Sequence, residues 1–190
     1  IIEMVRVCWF ALFVLCLAYK VSLEQWFVFT YYTYWTLTLE IVLFALWLTP
    51  EWSYMADALF PTVLAPSLLV AIGFWVLIAP FEEWTPEGLF EALVPHGLNA
   101  VAMCNEMRPM ARSDVWKPVL YTMIYNMFLC AYVVSGGRSV SGKLPYWYAQ
   151  YDSYLGWLFT ILAMSSVALI HLSFAIAYPV PPESSKQCIV

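Results

Sequence analysis

Four ionisable side chains stand inside the long apolar stretches of this chain: Glu40, His96, Glu106 and His171. A titratable group in such a setting is costly, so each is a candidate for chemistry. Glu40 closes an unusually polar opening, Thr30-Tyr31-Tyr32-Thr33-Tyr34-Trp35-Thr36-Leu37-Thr38-Leu39-Glu40, in which Thr33, Thr36 and Glu40 fall near one helical face at i, i+3 and i+7. Further on, His96 and Asn99 share a face and are followed by Met103, Asn105 and Glu106. A hydroxyl facing an imidazole can be activated as a nucleophile with the histidine as base. The assignment is therefore Thr36 as nucleophile and His96 as base, with Asn99 or Glu40 orienting the ring or hydrogen-bonding the hydroxyl. Buried beside acyl chains, such a pair suits attack on a lipid ester.

Plainer readings stand beside this one. A threonine in a membrane helix often bonds its own i−4 carbonyl, and a lone buried histidine such as His171 commonly links two helices. Glu40 and Glu106 could each pair with an arginine or carry a proton, and a protonated Glu40 could donate a hydrogen bond. The two histidines have no spacing that supports haem or chlorophyll ligation, and no metal-ligand pattern is present. No cofactor or metal is therefore expected.

The elements that must position these groups are membrane helices. Residues 59–81, 118–137 and 153–182 are runs of 23, 20 and 30 residues without Asp, Glu, Lys or Arg. Runs of that length span the ~30 Å hydrocarbon core of a bilayer. The chain is 63% hydrophobic and 11% charged, against about 25% charged in a typical soluble domain. We read residues 1–190 as a single all-α domain, an integral membrane bundle of six transmembrane helices. They cover about 4–19, 27–48, 60–78, 89–107, 118–135 and 154–178. Backbone groups in lipid must be satisfied within the segment, which favours helices, and the alternating strands of a β-barrel are absent. Pro66 predicts a kink or a late start of the third helix. Thr36 and His96, each entering from the same side, come to a similar depth.

Many tryptophans sit at segment ends (Trp26, Trp35, Trp52, Trp84, Trp116 and Trp147), as in interfacial belts. The cysteines Cys8, Cys16, Cys104, Cys130 and Cys188 have no CxxC spacing, and the four inside apolar runs read as small packing residues. A net charge of −5 argues against nucleic acid as a partner. The expected partners are membrane lipids and other membrane subunits. Arg6, Arg108, Arg112, Lys117 and Lys186 fall on one side of the six-helix topology, against Lys20, Arg138 and Lys143, which puts the first side in the cytoplasm or its organellar equivalent. An endomembrane or plasma-membrane location is favoured over an organellar inner membrane.

The stretch His96-Gly97-Leu98-Asn99-Ala100-Val101-Ala102-Met103-Cys104-Asn105-Glu106-Met107-Arg108 resembles the androgen-induced (AIG-type) and rolling-stone-like family of small multi-pass membrane proteins. Tyr121 and Tyr125, the turn Gly142-Lys143-Leu144-Pro145-Tyr146-Trp147-Tyr148, and Tyr34-Trp35-Thr36-Leu37 are similar to the family's pattern as well. The resemblance covers about residues 26–175. It implies hydrolysis of fatty acid esters of hydroxy fatty acids by a threonine nucleophile and a histidine, roles that fall on Thr36 and His96. Two departures are visible: the polar residue after the threonine comes at i+4 (Glu40), and Asn99 stands where the hydrolases have a second histidine. Rolling-stone-like members are linked to cell fusion instead. A rival expectation, from another class, is a non-catalytic accessory subunit of a large respiratory or photosynthetic complex.

Overall fold

A computed structural model describes residues 2–81, 84–139 and 141–181, apart from the side chains of Glu87 and Phe90. Glu82, Glu83, Pro182, Lys186 and Cys188 lie outside the described residues. Within them the chain is all-helical, with a single isolated bridge between Met110 and Pro179.

Helix α1 is Ile2–Glu24, followed by a 3₁₀ segment, Gln25–Thr30. Gln25 adopts a left-handed φ of 55°, and Tyr31 is extended, so the chain reverses before α2, Tyr32–Trp47. That reversal is why α2 begins five residues later than the hydropathy pattern suggests. Helix α3 is Ser53–Leu77, introduced by the short 3₁₀ turn Pro50–Trp52. It starts well before residue 60 and continues through Pro61 and Pro66, both buried. Membrane helices tolerate internal proline where neighbours cover the freed backbone groups, and α3 packs against α2, α5, α6 and α7. Helix α4, Pro86–Leu93, opens with Pro86 at its first turn and Thr85 as N-cap, whose hydroxyl accepts from the Gly88 amide. It runs without a break through a π-helical turn, Val94–Leu98, into α5, Asn99–Asn105. Helix α6 is Trp116–Val134, and α7 is Tyr154–Ala177, capped by Ser153.

Among the described residues the helices form six passes along the bundle, the fourth being the α4–α5 rod. Four stretches are long and apolar enough to cross a membrane: Ile2–Thr30, Pro50–Phe81, Arg112–Val134 and Tyr154–Ala177. The other two passes fall short for different reasons. Helix α2 has 16 residues, which at 1.5 Å each is ~24 Å, less than a full hydrocarbon core. The α4–α5 rod carries Glu87, Glu91, His96, Asn99 and Asn105, which lower its hydropathy.

Side-chain contacts define the two ends of the bundle. At one end the Arg6 guanidinium grips Glu106 through Nε (2.9 Å) and Nη2 (2.7 Å), Arg108 pairs with Asp57, and the Met110 amide donates to the Tyr178 carbonyl at 2.8 Å. Both guanidiniums lie over the Trp47 ring, Arg6 5.1 Å and Arg108 4.6 Å from its centroid, and the Trp47 N–H donates to Asp57 at 3.1 Å. At the other end Lys20 Nζ meets Glu91 at 2.5 Å, and the Tyr32 amide donates to the Tyr146 hydroxyl at 2.9 Å. Arg6, Arg108, Arg112 and Lys117 therefore gather at the first end and Lys20, Arg138 and Lys143 at the second.

The core is in two parts. The larger is built from α1, α2, α3 and α5, with Phe13, Leu37, Phe44, Phe60, Leu64 and Met103 fully or almost fully buried. The smaller holds Tyr125, Leu129, Ala149 and Tyr151, so the connection between α6 and α7 folds into the bundle and seals its end. Trp26, Trp52, Trp84, Trp116 and Trp147 are exposed, as an interfacial belt requires. Trp35 departs from that pattern: its ring packs on Tyr125 and Phe128, and its N–H donates to the Phe29 carbonyl at 2.7 Å. Cys16 and Cys130 pack against the two cores, whereas Cys8 and Cys104 face outward because α1 is peripheral and α5 ends at the surface.

Candidate functional site

The polar face of α2 points inward. Thr36 and Glu40 are completely buried, and Thr33 nearly so. Helix α3 opposes them with Ser67 and α5 with Asn99, both also completely buried. Apolar residues surround these groups, so what they find in each other decides their cost.

Ser67 Oγ lies 2.5 Å from Glu40 Oε1 and 2.8 Å from the Val63 carbonyl of its own helix. A hydroxyl has one proton to give. If Ser67 donates to Val63, as serine in a helix commonly does, the proton in the contact with Glu40 belongs to Glu40. A protonated Glu40 satisfies both bonds at once and puts no bare charge in the bundle. Asn99 also interacts with Glu40. Its Oδ1 accepts from the Ala100 amide at 2.7 Å, which fixes the amide's direction, while Nδ2 and Glu40 Oε2 are buried without a well-formed hydrogen bond.

Thr36 donates to the Tyr32 carbonyl, i−4 in its own helix, at 3.0 Å. From α6, Tyr121 interacts with both Thr36 and Glu40, and its hydroxyl is buried without a well-formed partner. Its ring is held against Tyr32, centroids 5.7 Å apart, and Tyr32 in turn shares a 2.7 Å hydrogen bond with Thr122. Thr36, Glu40, Ser67, Asn99 and Tyr121 therefore form one polar centre contributed by four passes.

His96 sits on the π-helical turn, three residues before Asn99. Pro95 has no N–H to place in an α-helical ladder, and the turn closes with the Asn99 amide on the Val94 carbonyl. The imidazole lies flat on Phe74 of α3, with centroids 3.8 Å apart and planes 8° from parallel. Its backbone carbonyl accepts from Trp75 Nε1 at 2.7 Å, and Nδ1 is buried without a partner. Among the described residues no hydrogen bond joins Thr36 to His96.

The remaining sequence candidates go elsewhere. Glu106 is the partner of Arg6, with Arg108 Nη2 at 3.7 Å, and belongs to the far end of the bundle. His171 is fully buried, and its Nε2 lies 3.0 Å from the Ala111 carbonyl, which ties α7 to the segment leading into α6. Asn126 donates to the Thr122 carbonyl at 2.8 Å and accepts from Thr160 at 3.2 Å and Tyr151 at 3.4 Å, so it serves the packing of the α6–α7 connection. That connection also carries Tyr146, whose phenol burial pushes up to about 12, keeping it neutral beside the Tyr32 amide.

Sequence reasoning overlooked Ser67 and did not assign Tyr121 a part. A signal existed for the first: Ser67 and Thr62 are the two hydroxyl residues of the charge-free run 59–81. Nothing in the spacing distinguishes Tyr121 from the other tyrosines of its helix. No family model matches the chain, and neither the curated proteins nor the solved structures gave a significant match. The functional argument therefore rests on the geometry and on the residue pattern. Groups of three or more His, Cys, Asp or Glu arranged to hold a metal are absent among the described residues.

Proposed function

We propose that this chain is an integral membrane protein with six passes through the bilayer and the activity of a lipid-ester hydrolase, of the kind found among AIG-type proteins. The observation that carries the reading is the polar centre of Thr36, Glu40, Ser67 and Asn99, completely buried in an apolar bundle and including unsatisfied atoms. Such an arrangement is expensive in a membrane protein unless it is used. In this reading the Thr36 hydroxyl attacks the ester carbonyl of a fatty acid ester of a hydroxy fatty acid. His96 takes the threonine proton on its unpartnered nitrogen and returns it to the leaving alkoxide. Water then cleaves the acyl-threonine by the same route in reverse. Asn99 and Glu40 hold the polar wall of the site. The Thr36–His96 hydrogen bond would form with substrate in place, since catalytic hydrogen bonds often tighten only in the complex.

The test is direct. Purified Thr36→Ala and His96→Ala proteins, shown by thermal unfolding to be folded, are assayed on a panel of lipid esters. Each is expected to lose at least ~100-fold in turnover, as removal of a nucleophile or its base does. Undiminished turnover in either folded variant would overturn the reading.

A second reading, an accessory subunit of a large membrane complex, draws on the outer surface. Helix α1 buries little beyond Phe13, leaving a broad apolar face for lipid or for a neighbouring chain. Stoichiometric co-purification with a complex, together with hydrolytically inert protein, would favour it.

A further inference from the structure

The buried centre holds donors that lack well-formed acceptors. Tyr121 brings a hydroxyl with no well-formed partner. Asn99 Nδ2 carries two N–H groups, so a contact with Glu40 leaves one over. The Asn99 amide cannot be turned to present its oxygen instead, because Oδ1 is held by the Ala100 amide at 2.7 Å. Two such donors, the Tyr121 hydroxyl and Asn99 Nδ2, suit an oxygen that accepts. Tyr121 interacts with Thr36, and Asn99 interacts with Glu40, one helical turn further along α2.

We propose that Tyr121 and Asn99 form the acceptor site for the substrate's carbonyl oxygen, with the Tyr121 hydroxyl and one Asn99 N–H donating to the oxyanion created by attack at Thr36. This rests on the hydrolase reading above. As the bond from Thr36 Oγ to the carbonyl carbon forms, the carbonyl π pair moves onto oxygen and the threonine proton passes to His96. The two donors meet that charge. When the carbonyl re-forms, the bond to the leaving oxygen breaks and the alkoxide takes the proton from His96. Donors already fixed by burial need no reorganisation as the charge appears, which is where such a site gains its effect. Tyr121 is positioned by its ring contact with Tyr32, and Asn99 by the Ala100 amide.

The experiment uses the full chain in detergent or nanodiscs and the variants Tyr121→Phe, Asn99→Ser and Thr36→Ala. Kinetics are measured on a lipid ester, and binding is measured for two probes: a long-chain trifluoromethyl ketone, which forms a tetrahedral adduct, and the matching non-hydrolysable ether. Tyr121→Phe and Asn99→Ser are expected to lower kcat by about 10²–10³ with KM within about twofold, as loss of one oxyanion donor does elsewhere. They should weaken the ketone and leave the ether unchanged. A purely structural role would move both probes together. If Thr36→Ala is inactive while both donor variants keep wild-type kcat and ketone affinity, the acceptor site is refuted and the hydrolase reading stands. If Thr36→Ala keeps full turnover, or the wild-type protein neither turns over esters nor binds the ketone, both are refuted. Thermal stabilisation by sodium chloride over choline chloride that disappears in Glu40→Gln would make the centre a cation site and also overturn the proposal.

Discussion

Glu40 shows how much depends on one proton. Ser67 offers a single hydrogen to two neighbours, 2.5 Å and 2.8 Å away, and a protonated Glu40 resolves the shortage. It follows that a neutral isostere should be accepted. Glu40→Gln is expected to change stability by about 1 kcal/mol or less, whereas Glu40→Lys, which buries a charge with no counter-ion, should lose several kcal/mol and fail to fold. Infrared spectra supply the check on charge: the wild-type protein should show a protonated-carboxyl band near neutral pH that Glu40→Gln lacks. A wild-type spectrum without that band would refute the proton count. The inward face of Thr33, Thr36 and Glu40 was legible in the sequence because a helix repeats its faces at i, i+3 and i+7. Ser67 and Tyr121 were not legible as members, because what brings them to Glu40 is the packing of α3 and α6 and not any spacing within a segment.

At the scale of elements, the π-helical turn and the α6–α7 connection each do something hydropathy does not describe. The turn at Val94–Leu98 places His96 on Phe74 while Asn99 still reaches Glu40. Residue type and spacing singled out His96 and Asn99, but their relative rotation depends on one widened turn. His171 has a structural part, holding α7 to Ala111 by one hydrogen bond. Two substitutions separate its contributions. His171→Leu keeps most of the volume and loses the bond, for an expected cost of about 1 kcal/mol, while His171→Ala also opens a cavity and should cost about 2–4 kcal/mol. Unfolding in a graded detergent series measures both. Equal costs would mean that the hydrogen bond, and not packing, dominates. Glu106 was similarly readable as an arginine partner, but only the approach of α1 to the end of α5 selects Arg6.

For the whole molecule, the question is how six passes divide between membrane and interior. Among the described residues four stretches are long and apolar enough to cross a bilayer, whereas α2 is short and sits among its neighbours. Pairings at the two ends, Arg6 with Glu106 and Lys20 with Glu91, show that α1 and the α4–α5 rod run antiparallel. If all six passes cross, residues 49–58 and 108–117 share one face of the membrane and residues 138–152 lie on the other. Single cysteines at Glu51, Ser113 and Ser141, in a background without native cysteines, are expected to label with an impermeant maleimide from one side, the same side and the opposite side, respectively. Labelling of all three from one side would rule out six crossings.

Composition and uninterrupted apolar length were enough, by themselves, to establish an all-helical chain suited to a bilayer, since lipid leaves the backbone few other ways to satisfy its hydrogen bonds. Helical periodicity also picked out the inward face of α2. The tertiary structure decided which polar groups meet. It separated Glu106 and His171 from the centre, added Ser67 and Tyr121, and set His96 on Phe74. The reason is physical: a buried polar group is stabilised by whatever partner packing delivers, and those partners come from helices far apart in sequence.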